Sequence, residues 1–507
     1  MSPHHTGATR TMPGMPMRVA MLTSECEPWA KTGGLADVVD ALARALGEMG
    51  GVELELPVDV FLPRYRGVPE PARVERTVSL RVPDPGSATG NTTVQVIEVP
   101  ANGYRLRLID HPAAFDRAGY YGDDDGDYQD NAWRFGLFCR AALEALRADG
   151  RPVDVLHLHD WHTGPAAIYR DVRYADDPVI GAAAILMTLH NLAYHCWTPR
   201  KALGQLGLAP GDGVVPRDAD GIDLLLGGIE RADLVNTVSP GFAAEALTSA
   251  FGMGLDGPLR AKGDRFFGIL NGLDTTVWDP ATDGDLAAPY SRDDRTGKAA
   301  CRADLLARNG FDPDDDGAVI GMIGRLDPQK GFDLLAGAAP KLLERGARLI
   351  VQGSGHPDLA DPFRAIATAH PRQVAFIERF DRVMARKIYA GADFFAMPSR
   401  FEPCGQGQMI ALRYGTPPIV HRTGGLADTV IDETTHPGDG TGFSFTGATT
   451  KRLLEACERA ISLRARGGPA WEGLLDRGMA VDFDWVTGSA PRYLEAYRRA
   501  FAIRRGA

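Results

Sequence analysis

Thr32-Gly33-Gly34-Leu35-Ala36-Asp37 returns unchanged late in the chain as Thr423-Gly424-Gly425-Leu426-Ala427-Asp428. Each copy follows a short apolar run, Val19-Ala20-Met21-Leu22 in the first case and Pro418-Ile419-Val420 in the second, and each enters a helical stretch. The implied structure is a sharp strand-to-helix turn. Paired glycines let the backbone come close to a ligand, and the free N–H groups of the first helical turn face it. Such a turn favours anions and hydroxyl-rich ligands. One Gly-Gly turn is common in any α/β protein. Two in a chain of two-domain length predict paired halves facing a shared cleft.

Around these turns, apolar strands alternate with amphipathic helices. The first half predicts a strand at 18–22 and a helix at 34–49 with Leu35, Val38, Val39, Leu42 and Leu46 on one face. A strand at 59–62 follows, then an antiparallel excursion over 74–110 broken by Pro, Gly and Asn turns. A helix at 131–148 precedes buried strands at 153–158, 184–188 and 234–238. Turn residues interrupt the pattern near 270–279, and 281–297 reads as loop. Alternation restarts with strands at 319–323, 347–352, 374–377, 394–397 and 419–420, separated by helices at 331–345, 383–390 and 406–414. Recurrent strand–helix order predicts an α/β protein with two doubly wound parallel sheets, whose ligands sit at the carboxyl ends of the strands. The expected domains are a disordered leader at 1–16, an N-terminal domain at 17–270, a C-terminal domain at 271–490 and a final helix at 491–507. Tyr493, Leu494, Tyr497 and Phe501 share one face of that helix, so it is expected to cross back onto the first domain.

Composition narrows the function classes. Of 507 residues, 44% are hydrophobic and 24% charged, the balance of a soluble globular protein. A formal charge of −11 argues against a nucleic-acid or anionic-membrane binder, while leaving room for a local basic pocket. The six cysteines are scattered without a CxxC pair, which points to reduced thiols and a cytoplasmic location. The polar leader lacks the apolar core of a secretory signal, and no stretch approaches the ~18 apolar residues of a membrane span.

Several loops carry chemistry. Gly324-Arg-Leu-Asp-Pro-Gln-Lys-Gly331 puts Arg325 and Lys330 between a strand and a helix start. A helix N-terminus repels cations, so two of them there make sense when an anion arrives to share them, and a diphosphate fits. The competing reading is a solvated pair with Asp327. Pro398-Ser-Arg-Phe-Glu-Pro-Cys-Gly405 places Glu402 where it would accept hydrogen bonds from sugar hydroxyls, with N–H groups around Cys404 and Gly405 donating to others. Its competing reading is a helix N-terminal carboxylate. His157, His159, Asp160 and His162 look like a metal cluster, but two of the histidines lie along a strand, and residues flanking a substrate cleft are the better reading. His190-Asn191 occupies the equivalent place on another strand. Lys31 aims a charge at the first turn. The acidic run Asp123–Asp127 lacks the spacing of a calcium loop and reads as solvated.

Taken in order, these motifs identify a family. Lys31 to Val38, His159-Asp-Trp-His162, Thr188 to Tyr194, Thr237-Val-Ser-Pro240, Leu270 to Asp274, Gly324 to Gly331, Pro398 to Gly405 and Arg422 to Asp428 together resemble bacterial glycogen synthase and plant starch synthase. The resemblance runs from about residue 17 to Trp485. It implies the GT-B fold, two Rossmann-like domains with the active site in the cleft between them. It also implies a retaining transfer of glucose from ADP-glucose to the non-reducing 4-hydroxyl of an α-1,4-glucan. Carried over, Lys31, Gly33 and Gly34 border the diphosphate, and Arg325 and Lys330 neutralise it as it leaves. Glu402, Cys404 and Gly405 hold the donor glucose, His190 lies at its reacting face, and Phe380 falls against the adenine. Asp160 is a cleft residue that orders His190 or the acceptor side, and Asn191 belongs to the same acceptor or cleft set. No cofactor or metal is implied, because the cations stabilise the leaving group. The resemblance departs at Asp223, Leu226, Cys301, Arg302, Gln406 and Gly407. A relative using UDP-glucose or another acceptor, and a catalytically quiet glucan-binding paralogue, are the alternatives.

Overall fold

A computed structural model describes residues 16–50, 54–212 and 220–506, so most of the expected leader lies outside the described residues. The chain divides into two compact units. The first comprises residues up to Asn236, Gly252–Phe267 and Ser489–Ala507; the second comprises Thr237–Phe251 and Gly268–Gly488.

The first unit is built on a nine-stranded sheet. Its order is Phe266–Gly268, Leu234–Thr237, Ala184–Leu189, Val155–His159, Val19–Leu22, Val58–Pro63, Tyr104–Asp110, Asn91–Pro100, Arg76–Pro83. From Ala184–Leu189 to Tyr104–Asp110 the neighbours pair in parallel. The last two strands are antiparallel, as the turn-rich stretch predicts. Val19–Leu22 is buried at every residue, and so is Val155–His159, the signature of strands covered on both faces. The helix Gly34–Glu48 turns Leu35, Val38, Val39, Leu42 and Leu46 inward.

The final helix spans Ala490–Arg505 and belongs to this unit, as its apolar face predicts. Tyr493, Leu494 and Tyr497 are buried, whereas Phe501 stays partly exposed under the Arg505 guanidinium. Tyr497 reaches the sheet core, its hydroxyl 2.9 Å from His157 Nδ1.

The second unit holds a six-stranded sheet in the order Val374–Ile377, Arg348–Gly355, Val319–Leu326, Phe394–Met397, Pro418–His421, Phe443–Phe445, parallel throughout. Numbered along the chain that is 3-2-1-4-5-6, the doubly wound dinucleotide-binding order. The strand expected at 319–323 runs on to Leu326, so Gly324 and Arg325 lie on the strand rather than in the loop. A two-stranded ribbon of Trp197–Pro199 and Gly221–Asp223, and the edge strand Phe443–Phe445, escape the periodicity because each is only three residues long. Among the described residues no helix is long and apolar enough to cross a membrane.

Candidate active site

In each sheet the strand order reverses at one place, and the loops leaving the two strands there diverge to opposite faces and open a crevice. In the first unit this point lies between Val19–Leu22 and Val155–His159. In the second it lies between Val319–Leu326 and Phe394–Met397. Lys31, Gly33, Gly34 and Asp160 follow the two strands of the first point and Arg325, Lys330, Glu402, Cys404 and Gly405 belong to those of the second, whereas His190 and Asn191 follow Ala184–Leu189 and Phe380 follows the edge strand Val374–Ile377.

At the first, the loop after Val19–Leu22 carries the first glycine turn. Thr32, Gly33 and Gly34 are exposed, and the helix they open has no side-chain cap. A Cβ added to Gly33 or Gly34 would meet nothing within 4 Å, so this backbone is free to receive a ligand. Lys31 is exposed beside it and spends its ammonium on Asp37 at 2.6 Å and Glu27 at 3.6 Å. Sequence reasoning missed Glu25. Its buried carboxylate accepts the N–H groups of Thr32 (2.6 Å) and Gly33 (3.0 Å) and the hydroxyls of Thr32 (2.6 Å) and Tyr121 (2.6 Å).

Val155–His159 ends in Asp160, which holds φ of 55° and ψ of −173°. Such backbone costs a non-glycine residue about 1–3 kcal/mol and persists where the surroundings demand it. The demand is visible: Asp160 Oδ1 accepts the His190 N–H at 2.7 Å, tying together two strand ends. Burial pushes the Asp160 carboxyl up to about 7. His190 Nε2 lies 3.0 Å from His159 Nδ1, and burial drives the His190 imidazole down to about 3, so it is neutral at ordinary pH. His157 engages both ring nitrogens, with Tyr497 and with Thr188 at 2.7 Å, and is committed to the fold. His162 stacks on Trp161 with both nitrogens buried and unpartnered among the described residues. Asn191 turns its side-chain oxygen onto the Ala193 N–H of its own loop.

At the second point, the Lys330 ammonium lies 2.7 Å from Glu402 Oε2, and the Ser399 hydroxyl donates to the same oxygen at 3.0 Å. Lys330 therefore pairs with Glu402, not with Asp327, whose side chain caps the short turn Pro328–Lys330 instead. Nor is Glu402 a helix-terminal carboxylate, because the next helix starts at Gly407. Arg325 is exposed, and none of the described residues pairs with its guanidinium.

The loop bearing Glu402 is held carbonyl by carbonyl. Ser399 O lies 2.8 Å from His421 Nδ1, and Phe401 O accepts from the Gln329 amide at 3.0 Å. Glu402 O accepts the Gly425 N–H at 3.1 Å, Pro403 O the Ser239 hydroxyl at 2.6 Å, and Cys404 O the Gln408 amide at 3.0 Å. Burial raises the Cys404 thiol to about 12, which leaves it inert as a nucleophile. Gly405 has φ of +74°. Phe380 stands 77% exposed on the loop after Val374–Ile377, open to a stacking partner.

The second glycine turn corrects an expectation. Thr423, Gly424 and Gly425 are buried, and every N–H at the start of this helix is spent on protein. A Cβ on Gly425 would lie 2.2 Å from Cys404 O, and one on Gly424 would lie 2.2 Å from Glu402 O. These glycines allow close backbone packing against the Glu402 loop, and their N–H groups are committed to Glu245 and Glu402. The repeated hexapeptide serves two different purposes.

Two of the departures also acquire reasons. Asp223 caps the helix Leu224–Arg231 through the Leu226 N–H and bonds His195 at 2.6 Å. A Cβ on Gly407 would press on Phe395, Met397 and Tyr389 at 3.0–3.3 Å, so only a small residue fits there.

Comparison with known proteins agrees with this geometry. Residues 18–261 match the starch synthase catalytic domain, and residues 317–462 match the glycosyl transferases of group 1. The fold and the two switch points are those of a GT-B glycosyltransferase. Glycogen synthase from Syntrophotalea carbinolica is 40% identical over 492 residues, covering 96% of this chain and 99% of that one. Glycogen synthase from Anaeromyxobacter dehalogenans is 41% identical over 487 residues, covering 95% and 99%. The catalytic domain of starch synthase IV from Arabidopsis thaliana, bound to ADP and acarbose, superposes with a TM-score of 0.85 at 33% identity, covering 96% of this chain and all of that one. The chain belongs to the glycogen synthase family of retaining glucosyltransferases.

Proposed function

We propose that this enzyme transfers glucose from ADP-glucose to the non-reducing 4-hydroxyl of an α-1,4-glucan, in the cytoplasm, with Arg325 and Lys330 binding the leaving diphosphate and Glu402 binding the donor sugar. The observation that carries the assignment is the Lys330–Glu402 pair at 2.7 Å, with an exposed Arg325 that none of the described residues pairs, at the switch point of a 3-2-1-4-5-6 sheet. A protein that only held glucan would have no use for such a guanidinium there.

The chemistry follows from charge. As the bond from the sugar C1 to the β-phosphate oxygen breaks, negative charge grows on the diphosphate and positive charge on the sugar. Arg325 offers a planar fork and Lys330 the ammonium hydrogens that Glu402 leaves free, so both strengthen their hold in the transition state. Glu402, already oriented by Ser399 and Lys330, presents its other oxygen to a sugar hydroxyl. The acceptor 4-hydroxyl bonds to C1 on the face the diphosphate leaves, and its proton passes to the departing phosphate oxygen. Configuration is thereby kept without an enzyme nucleophile. In this reading Lys31, Gly33 and Gly34 border the diphosphate, neutral His190 lies by the reacting face, Cys404 and Gly405 give backbone contacts to glucose, Phe380 covers the adenine, and Asp160 and Asn191 serve the acceptor side.

Equilibrium binding tests this directly. Arg325→Ala and Lys330→Ala should each weaken ADP by about tenfold to a hundredfold, the worth of a charge-assisted hydrogen bond, and weaken AMP less. Equal ADP affinity in wild type and both variants would remove the cations from the assignment.

A further inference from the structure

The two copies of the hexapeptide share one feature that their different uses do not explain. In each, a glutamate from elsewhere in the chain grips the threonine hydroxyl and the first glycine N–H. Glu25 stands seven residues before Thr32 and accepts both, at 2.6 and 3.0 Å. Glu245 stands 178 residues before Thr423 and accepts its hydroxyl at 2.9 Å and the Gly424 N–H at 2.9 Å. Same register, same atoms, unrelated sequence distance.

The segment bearing Glu245 is fastened at two further points. Ser239 Oγ donates to Pro403 O at 2.6 Å, and the Gly241 N–H donates to Asp428 Oδ2 at 2.7 Å. Residues 239–245 thus grip both the second turn and the loop that carries Glu402. The second turn in turn holds Glu402 O through the Gly425 N–H at 3.1 Å. In the first unit, Glu25 is itself fixed by Tyr121, which also donates to Ser24 Oγ at 2.9 Å.

We propose that Glu25 and Glu245 are positioning residues of the transfer reaction, each pinning one Thr-Gly-Gly turn through the threonine hydroxyl and the first glycine N–H. The inference rests on the functional reading above. Neither glutamate touches the reacting atoms. Glu25 sets the open turn at Gly33-Gly34 in the attitude a diphosphate meets. Glu245 sets the buried turn and, through it, the backbone under Glu402. The two should therefore leave different kinetic signatures.

Four variants decide it. Glu25→Ala should raise the dissociation constant for ADP about tenfold, the loss expected when charged hydrogen bonds that preform a site are removed. Glu245→Ala should weaken ADP less than Glu25→Ala does, because Arg325 stands on the strand Val319–Leu326 and only Lys330, through its pair with Glu402, is linked to the second turn. Its kcat should fall about tenfold to a hundredfold, as misplacement of a sugar-binding group by ~1 Å does. Glu245→Gln keeps an acceptor oxygen for both donors and should restore kcat. Thr423→Val removes only the hydroxyl and should give an intermediate loss, which keeps the test open if Glu245→Ala folds poorly. Hydrogen exchange across 399–405 should speed up in Glu245→Ala and not in Glu245→Gln.

Changes confined to melting temperature, with kcat and ADP binding unmoved, would overturn the proposal, and so would failure of the glutamine to rescue. If wild-type enzyme transferred no glucose, the functional reading would fail instead, and ADP binding with hydrogen exchange would still report on the two clamps.

Discussion

The sharpest consequence of the two turns is that one substitution should have opposite effects at equivalent places. Consider alanine at Gly34 and at Gly425, the second glycine of each copy. At Gly34 the new methyl meets nothing within 4 Å. The residue opens the helix Gly34–Glu48, where alanine is favoured over glycine by up to ~1 kcal/mol, so the fold should keep or slightly raise its stability. Activity is a different matter, because the methyl lies on the exposed face assigned to the diphosphate. At Gly425 the methyl would sit 2.2 Å from Cys404 O and 2.5 Å from its Cα, well inside contact with backbone that five carbonyl bonds hold still. Overpacking of this kind costs about 1–3 kcal/mol. Alanine keeps the N–H that Gly425 donates to Glu402 O, but pushing the two segments apart to seat the methyl stretches that bond and adds up to about 1 kcal/mol. The total of ~1–4 kcal/mol corresponds to a drop of roughly 2–15 °C in the transition of a unit this size. Differential scanning calorimetry with glucose transfer measured on the same samples gives the answer. Gly425→Ala should melt early and lose transfer through displaced Glu402, whereas Gly34→Ala should melt like wild type. A Gly425→Ala enzyme with wild-type melting and wild-type rate would refute the packing argument.

Other outcomes follow from the same structure. Glu402→Gln and Lys330→Met should each reduce turnover by orders of magnitude while far-UV circular dichroism stays unchanged; near-normal rates in either would break the assignment. Tyr497→Phe leaves His157 Nδ1 without its partner and should cost about 1–3 kcal/mol in the first unit's unfolding free energy, measured by denaturant titration. His162→Phe keeps the stacking on Trp161 and removes two nitrogens that are unpartnered among the described residues, so stability should be equal or higher. The same variant carries a pH signature. Burial holds the His162 imidazole well below its ordinary value of 6.5, so its contribution is present above pH 6.5 and lost as pH falls below it. His162→Phe should therefore soften the acid limb of the stability curve between pH 6.5 and 4, and an unchanged limb would show that this ring does not charge on unfolding.

Much of the fold was legible because strand and helix periods are local. Val19–Leu22, Phe394–Met397 and the antiparallel excursion stand where apolar runs and turn residues put them. One chemical grouping was also readable, since Arg325 at the end of one strand, and Lys330 and Glu402 in the loops after that strand and its neighbour, belong to one switch point. What escaped is non-local. Nothing in the hexapeptide says that one copy is exposed and the other buried, because that depends on whether the Glu402 loop packs over it. Glu245 reaches Thr423 across 178 residues, beyond any pattern window. Glu25 was nearer to hand, as a carboxylate just past a buried strand end and seven residues before a turn with N–H groups to satisfy. The pairing of Lys330 with Glu402 needed the register of two parallel strands, which single-segment reading does not supply. Arg325 was placed in a loop because Gly324 ends the apolar run, yet the ladder with Ser354 carries the strand through it.

The central claim is best tested by transfer of labelled glucose onto glycogen, with ADP-glucose and UDP-glucose compared side by side and Glu402→Ala as the blank. Strong incorporation from ADP-glucose, abolished in the variant and weak from UDP-glucose, is the expected result. Preference for UDP-glucose would contradict the donor assignment, and binding of glycogen with no transfer from either nucleotide sugar would contradict the catalytic one.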